Sequence, residues 1–240
     1  QLLAMGLKGK HIGVIGETRY EWLVSHQAIC GGTGVVVPLD KELPVSELAN
    51  LIERSHMTTL FYSAKIEKAL LEAMSMVPED KAPEFIISMD AQKHDDANGI
   101  LSYKELLEKG RKLVAGGDRT FVDAEINPDE MAVLLYTSGT TGLAKGVMLS
   151  HKNIVSNVMN MSKFVNVEPG DVSLSILPIH HTYEFTVNHM TVPYQGGCTA
   201  ICEGLKHIVK NMEESKASIL IGVPLVFEMM HRRVWKQAEK

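Results

Sequence analysis

An alternation along the chain limits the folds open to it more than any other feature. Short apolar or β-branched runs recur at HIGVI (11–15), GVVVP (34–38), TTLFY (58–62), EFIIS (84–88), AVLLYT (132–137), GVMLS (146–150), VSLSIL (172–177), CTAIC (198–202) and SILIG (218–222). Segments with helical spacing separate many of them. Val45, Leu48 and Ile52 make one apolar stripe; Ile66, Leu70, Ala73 and Val77 make a second; Ile154, Val158, Met161 and Val165 make a third. Ser150 stands where it can cap the third helix, because a serine hydroxyl accepts from an unpaired N–H of the first turn. Pro224 suits the first turn of a last helix with Val226, Met230 and Val234 on its inner face. Strands alternating with helices at this spacing predict an α/β fold: a mostly parallel sheet flanked by helices.

Between these segments, 78–83 and 89–99 are rich in Gly, Pro and charge and read as surface loops. AGGDRTFVDAEINPDE (115–130) reads as a longer connection and a subdomain seam. No internal repeat or low-complexity tract appears. A chain of 240 residues with 45 % apolar and 22 % charged residues can bury a core of one large or two small domains. The net charge of −5, without any long Lys/Arg block, argues against nucleic acid as the partner. Three scattered cysteines, Cys30, Cys198 and Cys202, are too few for a disulfide framework, so the expectation is a reducing, intracellular compartment. Cys198 and Cys202 read as small hydrophobes near a buried strand and not as a metal pair. No signal peptide is visible, and no apolar run approaches the ~20 residues that span a bilayer. The chain starts without Met and stops inside a helical pattern, so a piece of a larger protein is expected.

One stretch stands apart in chemistry. TSGTTGLAKG (137–146) holds three Gly, four hydroxyl side chains and one Lys. Glycine lets the backbone take positive φ and approach a ligand closely. Successive N–H groups in such a turn form a concave anion site. Thr137, Ser138, Thr140 and Thr141 add hydroxyl donors, and Lys145 adds a cation: equipment for a polyphosphate. Two other phosphate patterns are excluded. In G-x-x-x-x-G-K-[ST] the Lys is preceded by Gly and followed by Ser or Thr, whereas Lys145 follows Ala144 and precedes Gly146; G-x-G-x-x-G does not fit either. Apolar runs stand on both sides, so the loop joins two strands and does not open a helix. A plain glycine-rich hairpin accounts for the glycines but not for four neighbouring hydroxyls beside a Lys.

YTSGTTGLAKGVMLSH (136–151) resembles the signature of the adenylate-forming, AMP-binding superfamily, which includes acyl-CoA synthetases, peptide-synthetase adenylation domains and luciferases. LDKELPVSELANLIERS (39–55) is similar to its upstream βα unit, and LPIHHTYEF (177–185) to its next motif. GVPLVFEMM (222–230) and ETRYEWLVSHQAICGGTGVVVPLD (17–40) look like the long-chain fatty acid–CoA ligases. The resemblance covers nearly the whole chain. It implies a partial N-terminal AMP-binding domain of layered α/β sheets over 1–240, cut at both ends, with the C-terminal domain absent.

The implied reaction joins a fatty acid to ATP, releases pyrophosphate and passes the acyl group from the adenylate to CoA, with Mg²⁺ on the nucleotide. By resemblance, Thr137, Ser138, Gly139, Thr140, Thr141, Gly142 and Lys145 hold the β- and γ-phosphates, Lys145 and His181 are catalytic, and His181 and Phe185 border the acyl group. Phe185 is equally at home as a plain core aromatic. His180, His181 and Glu184 lack zinc spacing, so no metal ligand is assigned; Tyr183 and Glu184 receive no role. The family's adenine, ribose and magnesium motifs and its late Lys are not in this sequence, so the piece alone is expected to be inactive. Two alternatives stand beside this reading: a non-catalytic nucleotide- or acyl-binding module, and an adenylation domain for another acid. A cytoplasmic location is expected, with peripheral membrane contact, acyl length, acceptor and oligomeric state left open.

Overall fold

The run HIGVI forms β1 (His11–Ile15), which takes parallel neighbours on both sides, β2 (Val35–Leu39) and β3 (Thr59–Tyr62). The structure is a computed structural model and describes residues 1–137 and 144–238. β4 (Phe85–Ser88), β5 (Ile100–Ser102), β6 (Met131–Thr137) and β7 (Lys145–Ser150) complete a seven-stranded sheet of order β5-β4-β3-β1-β2-β6-β7. Every pair is parallel except β6 with β7.

Parallel neighbours need long crossovers, and helices supply them. α1 (Tyr20–Ala28) joins β1 to β2, α2 (Val45–Ser55) joins β2 to β3, α3 (Glu67–Met74) joins β3 to β4, and α4 (Tyr103–Ala115) follows β5. Ile15, Val37, Leu39, Leu60 and Tyr62 form one core with Leu48, Leu51 and Ile52 of α2 and Leu70 of α3. Ile12, Val14 and Val36, which alternate with them, are just as fully buried. Burial on both faces explains why these strands read as continuous apolar runs. These elements lie in the first of two compact units, Gln1–Ile154. α5 (His151–Met161) contains the division. Its start is capped as the sequence predicts: Asn153 N–H donates to Ser150 Oγ at 3.2 Å, and Ser150 N–H donates back to Asn153 Oδ1 at 3.0 Å.

The second unit, Val155–Lys240, holds a parallel sheet of order β10-β8-β9, from β8 (Val172–Ser175), β9 (Cys198–Ile201) and β10 (Ile219–Leu220). Leu174 of β8 packs with Ile208 of α8 (Ile208–Ser215) and Val226 of α9 (Pro224–Ala238). Met230 joins that cluster as expected, while the side chain of Val234 lies outside the described residues. Among the described residues no helix is long and apolar enough to cross a membrane.

Some expectations shift. β8 stops at Ser175 and not at residue 177, because Pro178 cannot donate to a ladder and restricts Leu177 before it. β5 and α4 carry no expectation from sequence. Cys198 is exposed, since β9 is an edge strand, and Cys202 is partly buried with its Sγ 3.3 Å from the Gly204 carbonyl. The connection at 116–130 forms no helix or strand and lies inside the first unit.

Entry into the central pair rests on one glycine. Val35 N–H donates to the Lys10 carbonyl at 2.9 Å, and a Cβ on Gly34 would stand 2.3 Å from that oxygen. Backbone cannot yield as a side chain can. Gly34→Ala should therefore destabilise the chain by about 3 kcal/mol, read as a lower urea midpoint. Ser102→Ala removes the α4 cap, where Glu105 N–H donates to Ser102 Oγ at 3.3 Å, and the bond from that hydroxyl to the Ala91 carbonyl at 2.6 Å; it should cost about 2 kcal/mol, read in the same urea titration.

Candidate functional site

The glycine-rich stretch sits at the end of the β6–β7 hairpin. Antiparallel pairing runs from Val133↔Leu149 to Thr137↔Lys145, so Thr137 and Lys145 stand opposite each other as the last pair. Both residues are exposed. Ser138, Gly139, Thr140, Thr141 and Gly142 lie outside the described residues. The base of the loop is braced by a residue that sequence reasoning missed. Arg54 of α2 donates from Nη1 to the Ala144 carbonyl at 3.0 Å, and its guanidinium stands 6.0 Å over the Tyr136 ring. This puts a second cation at the residue that precedes Lys145, held by a hydrogen bond and a cation–π contact. Nothing in the local sequence marks Arg54, because its partner is 90 residues away.

The second group of expected residues lies in the second unit. After β8 the chain passes buried Ile179 and exposed His181, then enters α6 (Thr182–Glu184), a π-helical stretch (Phe185–Thr191) and α7 (Val192–Tyr194). The structure places His181 and Phe185 one turn apart: Phe185 N–H donates to the His181 carbonyl at 3.0 Å. The His181 ring lies 4.2 Å from that of His180. Phe185 is 7 % exposed, with its ring 6.3 Å from that of His189.

Between His181 and Phe185 lies Glu184, which had no expected role and is fully buried. Its Oε1 accepts from Ser175 Oγ at 2.5 Å and from Asn188 Nδ2 at 3.0 Å. His189 Nε2 is 2.9 Å from Ser175 Oγ and 3.7 Å from Glu184 Oε1. The Ser175 hydroxyl has a single proton; given to Glu184, it leaves Ser175 to accept from His189, which fixes the proton on Nε2. Burial pushes the Glu184 carboxyl up, against the two hydrogen bonds that pull it down, and burial lowers His189 to about 4. Both shifts favour neutral forms, so at neutral pH the approach of His189 to Glu184 is not an ion pair. The signal available in sequence was V-S-L-S in β8, one polar face on a strand that must be buried, with Glu184 and Asn188 at i, i+4 to meet it.

A cavity of about 550 Å³ in the first unit is lined by mainly apolar side chains of α1 and α4 with Phe61, and by no residue of the β6–β7 hairpin. Among the described residues no group of three His, Cys, Asp or Glu is placed to hold a metal ion.

The His189 shift has a measurable consequence. Its ordinary value is 6.5, so the unfolded chain takes the proton first and acid favours unfolding. Stability from a neutral His189 is in place above pH 6.5 and drains as pH falls towards about 4, by about 3 kcal/mol in all. Glu184 works in the opposite direction, since its folded form holds a proton more tightly. Comparison with His189→Gln isolates the histidine: between pH 7 and 4 the unaltered chain should lose about 3 kcal/mol more urea stability than the variant. Parallel loss in both would show that His189 is not the buried base described.

The family model for AMP-binding enzymes matches residues 1–240. Fatty acyl-CoA synthetase B of Dictyostelium discoideum is 31 % identical, over 100 % of this chain and 36 % of that protein. The chloroplastic long-chain-fatty-acid–[acyl-carrier-protein] ligase AEE15 of Arabidopsis thaliana is 27 % identical, over 98 % of this chain and 33 % of its own length. The crystal structure of ATP-bound MatB from Rhodopseudomonas palustris superposes with a TM-score of 0.71 at 26 % identity, over 95 % of this chain and 42 % of that one. The chain thus spans about a third of the length of the curated relatives it matches. A hairpin closed by Thr137 and Lys145, in a mostly parallel α/β sheet matched from end to end by one family model, leads to one conclusion: the chain belongs to the AMP-binding enzyme family.

Proposed function

We propose that this chain is the N-terminal part of a fatty acid–CoA ligase, which activates a fatty acid with ATP as an acyl-adenylate and transfers the acyl group to CoA. The observation that carries the reading is the hairpin: a cation and a hydroxyl paired across its end, with glycine and hydroxyl residues between them in sequence, in an AMP-binding family chain.

The chemistry asks for charge management. As the fatty carboxylate attacks the α-phosphorus, negative charge grows on the pyrophosphate that leaves. Donors already aimed at that charge lower the barrier, because they need no reorganisation in the transition state. Lys145 and Thr137 supply a cation and a hydroxyl at the hairpin end, and Ser138, Gly139, Thr140, Thr141 and Gly142 supply backbone N–H groups and hydroxyls. Arg54 holds the Ala144 carbonyl and so steadies the base of the loop. TSGTTGLAKG contains no carboxylate, a donor set suited to phosphate and not to a metal ion. Magnesium would arrive on the nucleotide and neutralise phosphate charge there, with its protein ligands outside this stretch. His181 donates a hydrogen bond at the acyl carboxylate end, and Phe185 borders the acyl chain. CoA is the proposed acceptor; the relative named for an acyl-carrier-protein ligase makes a carrier protein the competing one.

The test uses the full-length gene product. The unaltered enzyme should release pyrophosphate only when both ATP and a fatty acid are present. Lys145→Ala and Gly142→Val should each slow that release about 100-fold without lowering the melting temperature. Unchanged rates in both variants would reject the loop assignment. A panel of acids of rising length, offered with CoA or with acyl-carrier protein, identifies the substrate and the acceptor.

A further inference from the structure

The buried cluster around Glu184 is costly for a fold to keep. A carboxyl group, two amide or imidazole side chains and a hydroxyl stand together at Glu184, Asn188, His189 and Ser175, each at most 6 % exposed. Glu184 Oε2 and Asn188 Oδ1 have no hydrogen-bond partner among the described residues. A buried acceptor left unpaired loses its hydration without return, so apolar side chains of the same shape would serve stability at least as well. What apolar side chains cannot do is fix direction, and direction is what the cluster supplies. It holds a stretch of π-helix, a turn that no strong backbone preference maintains and that is enriched at functional sites. Thr191 Oγ1 donates to the Thr186 carbonyl at 2.9 Å across that turn, and Thr199 of β9 donates to the Asn188 carbonyl at 2.6 Å.

Glu184 has a particular place in this arrangement. Of the three residues of α6, Thr182 and Tyr183 are exposed, and Glu184 alone is buried. The turn is therefore fastened to the middle strand β8 through one side chain, by the 2.5 Å bond from Ser175. His181 stands immediately before that turn and Phe185 immediately after it, joined by their own backbone bond. His181 is exposed, and no apolar packing of its own is needed to place it if the turn is placed.

We propose that Glu184 is a positioning residue for the acyl end of the reaction: its tie to Ser175 and Asn188 sets where His181 and Phe185 present their side chains. The roles of His181 and Phe185 rest on the function proposed above; the tie itself does not. Glu184 need touch no reacting atom to do this. It acts through the backbone of the turn. Gln in its place keeps an acceptor oxygen for both donors, whereas Ala removes it and leaves Ser175 only His189, at 2.9 Å, and Asn188 only the Leu174 carbonyl, at 3.4 Å.

Two measurements on the full-length enzyme separate this idea from the functional reading. In steady-state assays Glu184→Ala should raise KM for the fatty acid about 10-fold and alter the preference among acyl lengths, with KM for ATP within about twofold of the unaltered enzyme. Glu184→Gln should stay within about threefold throughout, and Ser175→Ala, which removes the donor and not the carboxyl, should follow the Ala variant in direction. In hydrogen exchange, amides of 182–191 should exchange about 10-fold faster in Glu184→Ala than in Glu184→Gln. Equal exchange in the two variants would overturn the tie. Faster exchange with unchanged KM for the acid, or a loss of kcat and both KM values that Gln shares, would overturn the positioning role. An unaltered enzyme that activates no fatty acid would sink the functional reading, and the exchange arm would still judge the tie. If Glu184→Ala does not fold, Ser175→Ala takes its place in both arms and the same outcomes decide.

Discussion

The parallel pairing of β1 with β2 and β3 is the constraint on which the first unit depends. It forces each return of the chain to cross a face of the sheet, and it does so because parallel strands cannot be joined by tight turns. Helices then cover both faces, and the strands become apolar on both sides. The same pairing tolerates little freedom where it starts, since the Gly34 backbone passes within contact of the Lys10 carbonyl. β6 and β7 break the rule. They are antiparallel, so the chain reverses between them without a helix. That reversal is the one junction in the sheet where a short connection can be made of backbone donors and hydroxyls, with no amphipathic helix to encode. The glycine-rich stretch occurs there, and a cation follows it.

Much of this was legible in the sequence, for a physical reason. A strand buried on two faces needs apolar side chains without interruption, and β-branched runs such as HIGVI and GVVVPL leave little else to become. The amphipathic stripes of α2, α3 and α5 were legible because one face of each is buried and the other is wet. β5 was not legible, because three residues carry no period. The end of β8 was misjudged because apolarity continues through Ile176 and Leu177 although the proline ahead already ends the ladder; Ile176 is spent on packing beside Leu174 instead. The hairpin loop was legible by composition. Its brace was not, since Arg54 meets Ala144 only when α2 lies beside β7's entrance.

The Glu184 cluster shows a different limit. Its members lie between 9 and 14 residues from Ser175, joined by a π-helical turn whose period no apolar pattern reports. A reader of sequence looks for polar residues that cluster at metal or nucleophile spacing, and these do not. The informative signs were weaker: two serines on one face of a strand that has to be covered, and a Glu and an Asn one helical turn apart that can cover it. β8 thus has two unlike faces. Leu174 joins an apolar cluster with α8 and α9, held by area and tolerant in direction. Ser175 faces a polar layer, held by hydrogen bonds that work only at set angles.

That contrast bears on how the two proposed halves of the chemistry are built. Charge on a leaving phosphate is spread over several oxygens and moves as the bond breaks. A glycine-rich stretch of backbone donors and hydroxyls with a cation suits it, since many nearly equal contacts can share the load. An acyl chain carries one carboxylate and a long inert tail, and offers the protein a single point by which to be aimed. Aiming a side chain at one point demands a fixed backbone, and a buried carboxyl with two donors fixes it where apolar packing would let it slide. The stranded oxygens at Glu184 and Asn188 are then the cost of direction, accepted in the one segment where direction decides what the chain can do.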